Sequence, residues 1–165
     1  MIEPRIIRII EDIVGTQHVS TADADRLCYS YDATQRQHRP DAVVWPSNTE
    51  EISLPLKMAN AERIPVYPRG AGSGFTGGSL PIHGPGPLVL TRLNAILRID
   101  EANLIAEVEP GVATRQLQKA VKPAGCSTPD PASLKFSTPG RQRRRMRAGD
   151  PAASSTGSLK ITSSA

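Results

Sequence analysis

The sequence predicts a mixed α+β domain, and three observations carry that reading. Segments with helical spacing alternate with short β-branched runs. Later runs follow one another at hairpin distance. Glycine (13) and proline (15) punctuate a chain of 165 residues closely enough to keep every element short. A chain of this length has room for one domain with a real hydrophobic core.

Taken in order, Ile6, Ile9, Ile10 and Ile13 recur at helical spacing among charged residues, which predicts an amphipathic helix over 3–14 stopped by Gly15. Thr21 is the expected N-cap of a second short helix, with Asp23 and Asp25 in the first turn where the helix dipole favours them. Residues 30–40 are polar and read as a loop. The run 42–45 (AVVW) is a short buried strand closed by Pro46. Ser47, Asn48 or Thr49 can cap the helix that follows, which runs to about Asn60. Pro55 sits inside it, so a kink or a later start is expected there. Further strands are expected over 64–67, 87–91, 96–100 and 104–112. Thr114 is the expected cap of a last helix reaching Lys122.

The sharpest local signal is the loop Pro68, Arg69, Gly70, Ala71, Gly72, Ser73, Gly74, Phe75, Thr76, Gly77, Gly78. Glycines let the backbone take positive φ and turn several N–H groups inward together, and without Cβ atoms an anion such as a diphosphate can approach closely. Ser73 and Thr76 offer hydroxyl donors. The same composition also suits a long hairpin loop with no ligand. Gly72, Gly74 and Gly77 formally match the dinucleotide fingerprint of a Rossmann fold, but that motif needs a helix opening at its third glycine. Here Gly78 follows at once, then Pro81, Gly84, Pro85, Gly86 and Pro87, and no helix can start.

Beyond these local readings, several segments resemble a known family: YDAT (31–34), VVWPSNTEEI (43–52), RIPVYPRGAGSGFTGGSLP (63–81), LTRLNAILRID (90–100), AEVEPGV (106–112) and PDPAS (129–133). Together they are similar to the FAD-binding domain of the vanillyl-alcohol-oxidase (PCMH) type, in the branch that contains the glycolate oxidase catalytic subunit and D-lactate dehydrogenase. The resemblance implies the N-terminal part of a two-subdomain FAD-binding domain. Its parts would be an N-terminal helical segment (1–40), a partial FAD-binding domain (41–138) and a non-native, disordered tail (139–165).

The resemblance further implies that Pro68, Arg69, Gly70, Ala71, Gly72, Ser73, Gly74, Thr76, Gly77 and Gly78 wrap the FAD diphosphate. Pro129, Asp130 and Ser133 would approach from a second loop. Some relatives attach the flavin through a histidine in the glycine loop; Ser73 stands at that place, so FAD is expected to be held non-covalently. The implied function is FAD-linked oxidation of a small 2-hydroxy acid, glycolate or D-lactate, with partner subunits of a glycolate oxidase complex. The substrate domain would lie beyond the residues present. No residue here is expected to be catalytic, and none to bind metal. His18, His38 and His83 fall outside every motif and read as ordinary surface residues.

After Thr138 the family pattern breaks into an arginine run, Arg141 to Arg147. Degenerate codons for the stretch from Thr138 to Arg147 can be re-read, after deletion of one base, as TLGGNVAECA, the continuation the resemblance implies. A second single-base shift gives a further family phrase. The expectation is that two inserted bases put residues 139–165 out of frame and exposed a premature stop. Read at face value, the run suits a nucleic-acid patch. A third alternative is a non-redox module that binds a nucleotide through the glycine loop.

The net charge of +4 does not favour nucleic acid for the domain itself. Residues 140–165 hold six basic residues against one acid, and the remainder carries 14 basic and 15 acidic residues, a net of −1. No apolar run approaches the ~18 residues a bilayer span needs. Glu3, Glu11 and Asp12 exclude a secretory h-region at the start. Cys28 and Cys126 match no metal or redox spacing and suit idle thiols in a reducing cytoplasm.

Overall fold

The computed structural model describes residues 2–84, 86–127, 135, 137–138, 146–148 and 158–162. The chain divides into two compact units, Met1–Arg92 and Leu93–Ala165.

The first unit opens with α1 (Pro4–Val14). Proline at its first position loses nothing, because that N–H has no intrahelical partner. Gly15 closes the helix at φ +89, its N–H returning to the Glu11 carbonyl at 2.8 Å. After a 3-10 turn at Thr16–His18 come β1 (Val19–Ser20) and α2 (Asp23–Cys28). Ala22, not Thr21, occupies the N-cap of α2; its amide bonds back to the Ser20 hydroxyl at 3.2 Å. The acidic first turn is as expected.

β2 (Val43–Val44) leads into α3 (Thr49–Ala61). Asn48 is the cap, its side-chain oxygen accepting the Glu51 N–H at 2.9 Å. The Glu51 carboxylate reaches back to the Ser47 amide at 2.7 Å and the Ser47 hydroxyl at 2.8 Å. That reciprocal arrangement fixes the helix start at Thr49, and α3 then continues through Pro55 rather than starting after it. β3 (Val66–Arg69) lies two residues later than the spacing predicts, and β4 (Gly86–Val89) gives way to a 3-10 turn at Leu90–Arg92.

The sheet order is β1-β2-β4-β3. β4 runs parallel to both β2 and β3, and β1 is antiparallel to β2. β2, α3 and β3 therefore straddle β4. Ile6, Ile10 and Val14 of α1 form one buried cluster with Val19, Val44 and Leu88 of the sheet, and Ile52 and Met58 of α3 join its edge.

In the second unit β5 (Ile96–Asp100) and β6 (Ile105–Val108) pair antiparallel, followed by α4 (Thr114–Val121) and β7 (Cys126–Ser127). The cap of α4 is Ala113 rather than Thr114. The Thr114 hydroxyl is engaged elsewhere, donating to the Ser137 carbonyl at 2.9 Å, and its amide bonds the same oxygen at 2.8 Å. Ala106, Val108, Val112, Leu117, Val121 and Cys126 form this unit's core.

Of residues 139–165, only 146–148 and 158–162 are described. They form β8 (Met146–Ala148) and β9 (Ser158–Thr162) in the order β5-β6-β9-β8-β7, with β9 parallel to β6. The rest of the expected tail lies outside the described residues, including four of the five arginines of the basic run. Cys28 is exposed, Cys126 is buried, and both are free thiols.

Candidate functional site

Three parallel strands of the first unit end on one side. The chain leaves the carboxyl end of β3 as the glycine loop and the carboxyl end of β4 as the Leu90–Arg92 turn. In open α/β sheets this is the side on which ligands are received. A cleft of about 450 Å³ lies here, walled by Arg69, Gly70, Ala71, Gly72 and Thr91 on one side. Cys28, Tyr29, Tyr31, Asp32 and Ala33 wall the other.

Of the glycines in the loop, Gly72 and Gly77 take positive φ, +70 and +72. At Gly72 there is a second constraint. A Cβ there would collide with Nη2 and Cζ of Arg69, because the guanidinium lies directly against the turn. Pro68 and Thr76 are exposed, Ser73 is half-buried and Gly74 buried. Phe75, between them, is 81% exposed.

Arg69 itself is only 6% exposed. Its side chain turns under the loop and not out to solvent. Nη1 donates to the Tyr31 carbonyl at 2.8 Å, and the guanidinium carbon sits 5.3 Å from the centre of the Tyr29 ring. Nε is buried without a hydrogen-bond partner. Burial lowers the Arg69 pKa, against the opposing influence of Tyr29, Asp32 and Tyr31.

Tyr29 is held in turn by Trp45, at the end of β2. The indole N–H donates to the Tyr29 hydroxyl at 3.0 Å, and the rings meet edge-on at 5.5 Å. Asp32, 5% exposed, accepts the Thr34 amide at 2.8 Å and the Thr34 hydroxyl at 2.6 Å on one oxygen; the Ser79 hydroxyl reaches the other at 3.4 Å. Burial alone would raise the Asp32 pKa. The Thr34 and Ser79 bonds and the Arg69 charge outweigh it and hold the carboxyl below its ordinary value.

The structure thus brings Arg69 to Gly72 into one cleft. Pro129, Asp130 and Ser133 lie outside the described residues. Tyr29, Asp32 and Thr91 are site residues that sequence reasoning missed. The signal for Asp32 was the YDAT segment, which has an Asx-turn spacing, Asp32 to Thr34, but no chemistry of its own that points to the loop. Among the described residues, no group of three His, Cys, Asp or Glu side chains could hold a metal ion, and no helix is long and apolar enough to cross a membrane.

Residues 40–140 match the family described as FAD binding domain. Glycolate oxidase subunit GlcD of Bacillus subtilis (strain 168) is 45% identical over 130 residues, covering 78% of this chain and 28% of that protein. D-lactate dehydrogenase of Anaerostipes hadrus is 30% identical over 141 residues, 84% of this chain and 30% of that protein. Among solved structures, an alkyldihydroxyacetonephosphate synthase superposes with a TM-score of 0.75 at 22% identity, over 90% of this chain and 33% of that one. This chain therefore spans a third or less of the length of each of these proteins.

Proposed function

This chain belongs to the FAD binding domain family, and on that premise we propose that its glycine loop holds the diphosphate of FAD in an enzyme that oxidises a 2-hydroxy acid. The cofactor is FAD, and the chain is FAD-binding sequence of the glycolate oxidase and D-lactate dehydrogenase type. The observation that carries the assignment to the loop is the turn at Gly72. It leaves the carboxyl end of a parallel strand with positive φ and has a buried guanidinium packed behind it.

The residues present fit a diphosphate. The proposed cradle is Pro68, Arg69, Gly70, Ala71, Gly72, Ser73, Gly74, Thr76, Gly77 and Gly78; Pro129, Asp130 and Ser133, which lie outside the described residues, are proposed for the same ligand. Main-chain N–H groups in such a turn act as fixed partial positive charges and need no reorganisation when an anion arrives. Bare α-carbons let the oxygens approach the backbone. Arg69 adds positive charge beneath the turn, although Asp32 balances much of it. Ser73 stands where some relatives carry a flavin-linking histidine, which supports a cofactor held by this loop without a covalent bond. FAD would supply the acceptor for the hydride on the hydroxyl-bearing carbon of a 2-hydroxy acid, and the hydroxyl proton would leave separately to a base or to solvent, giving the 2-oxo acid. Glycolate and D-lactate are the candidate substrates. They, the partner subunits of a glycolate oxidase complex and the turnover of a whole enzyme are proposed by analogy with relatives of which this chain spans under a third.

The test is a titration of the purified chain with FAD and, separately, with ADP, which carries the diphosphate without the flavin. Quenching of flavin fluorescence, reversed by competing ADP, is the expected result. A chain that leaves both ligands free in solution refutes the assignment.

A further inference from the structure

We propose that Tyr29–Thr34 is a clamp for the glycine loop: Tyr29 and Tyr31 grip the Arg69 side chain at one end and Asp32 holds Ser79 at the other, so that the turn at Gly70–Gly72 is fixed before any ligand binds. The proposal rests on the reading that this loop receives a diphosphate, and it extends the site to residues outside the matched segment 40–140.

The geometry is specific. Arg69 ends β3 where the loop begins, and Ser79 follows the last glycine of the loop. At that far end the Asp32 carboxylate accepts the Ser79 hydroxyl at 3.4 Å. It is itself immobilised by the Thr34 amide and hydroxyl. The Arg69 guanidinium is held on two further sides, by the Tyr31 carbonyl and the Tyr29 ring, and Tyr29 is locked to Trp45 on the sheet. Its remaining side is the Gly72 α-carbon. Apart from Tyr31, which is exposed, each of these residues is buried or half-buried, so the loop is braced against the sheet and not merely closed by its own backbone.

The unpaired Nε supports a positional role. A buried arginine that satisfies only part of its hydrogen-bonding capacity is a poor source of stability, and an apolar side chain of similar length often serves as well there. What only the guanidinium supplies at this place is a flat, charged plate between Tyr29, Tyr31, Asp32 and Gly72. Arg69 and Asp32 are accordingly positioning residues: they act on a ligand through the loop amides. Binding is strengthened because the loop does not have to be ordered at the moment of association.

The experiment pairs amide hydrogen exchange with ligand titration on the full chain, in Asp32→Asn, Arg69→Met and, as a milder variant that only loosens Asp32, Thr34→Val. Exchange across residues 70–79 should accelerate about tenfold in the first two and less in the third, while Val66–Arg69 and Gly86–Val89 keep their protection. Affinities for FAD and for ADP should fall together, by about tenfold, in step with exchange. Unchanged exchange across 70–79 in Asp32→Asn and Arg69→Met overturns the clamp. So does a loosened loop with undiminished affinity for both ligands. If the unaltered chain binds neither FAD nor ADP, the diphosphate reading is what fails, and the exchange measurements decide the clamp by themselves.

Discussion

Replacing Gly72 with alanine tests how closely the glycine loop is fitted to the guanidinium beneath it. The change has two costs. Alanine at φ +70 enters the left-handed region, a penalty of about 1–2 kcal/mol. The new Cβ also meets Arg69 Nη2 and Cζ, so the guanidinium must move and give up its bond to the Tyr31 carbonyl. A hydrogen bond to a charged group is worth about 1.5–3 kcal/mol. The sum is roughly 2.5–5 kcal/mol. Gly84 is the control. It has φ +87 and no atom within 4 Å of where a Cβ would stand, so alanine there meets only the backbone penalty, about 1–2 kcal/mol.

The assay is urea unfolding followed by tryptophan fluorescence. The single tryptophan, Trp45, lies in the first unit and reports that unit specifically. In an Arg69→Met background, the Gly72 penalty should shrink toward that of Gly84, because the planar group that blocks the Cβ is gone. Equal penalties at Gly72 and Gly84 in the unaltered background would refute the fit between loop and guanidinium.

Three other outcomes are expected. Asn48→Ala removes the cap of α3 and should cost about 1 kcal/mol in the same assay; a change below a few tenths would show that the Glu51–Ser47 bonds hold the helix start alone. Asp32 has a folded pKa below its ordinary 3.8, so its contribution is full above that value and disappears as the pH falls through the lowered one. Acid unfolding of Asp32→Asn should therefore be less steep than that of the unaltered chain below about pH 4, and parallel curves would contradict the assigned environment. Finally, the codons from Thr138 to Arg147 should be ones that recover TLGGNVAECA when a single base is removed; sequencing the gene settles it, and codons that cannot be so re-read end the frame-shift account.

Local chemistry made much of the fold legible. The isoleucine spacing and Gly15 mark α1 because a helix buries every third or fourth residue and a glycine tolerates the backbone of its end. Asn48 and Glu51 mark α3 strongly enough that Pro55 does not interrupt it. The two misplaced caps have local and distant causes. At α2 the Ser20 hydroxyl takes the Ala22 amide, one residue beyond the expected cap. At α4 the Thr114 hydroxyl is taken by Ser137, 23 residues away, and no window of sequence around Thr114 contains that partner.

The candidate site divides along the same line. Sequence by itself determined that a glycine-dense loop follows a short strand, that no helix can begin at its third glycine, and that the surrounding segments are those of an FAD domain. The first two depend on which φ values and hydrogen-bond donors each residue type allows; the third is a resemblance carried by the segments as a set. Only the tertiary structure decided that β4 lies between β2 and β3, that the Arg69 side chain turns inward, and that Asp32 reaches Ser79 at the far end of the loop. Those are contacts across tens of residues, fixed by how burial and charge are satisfied together in three dimensions. A buried arginine and a surface arginine have the same letter, and packing alone distinguishes them.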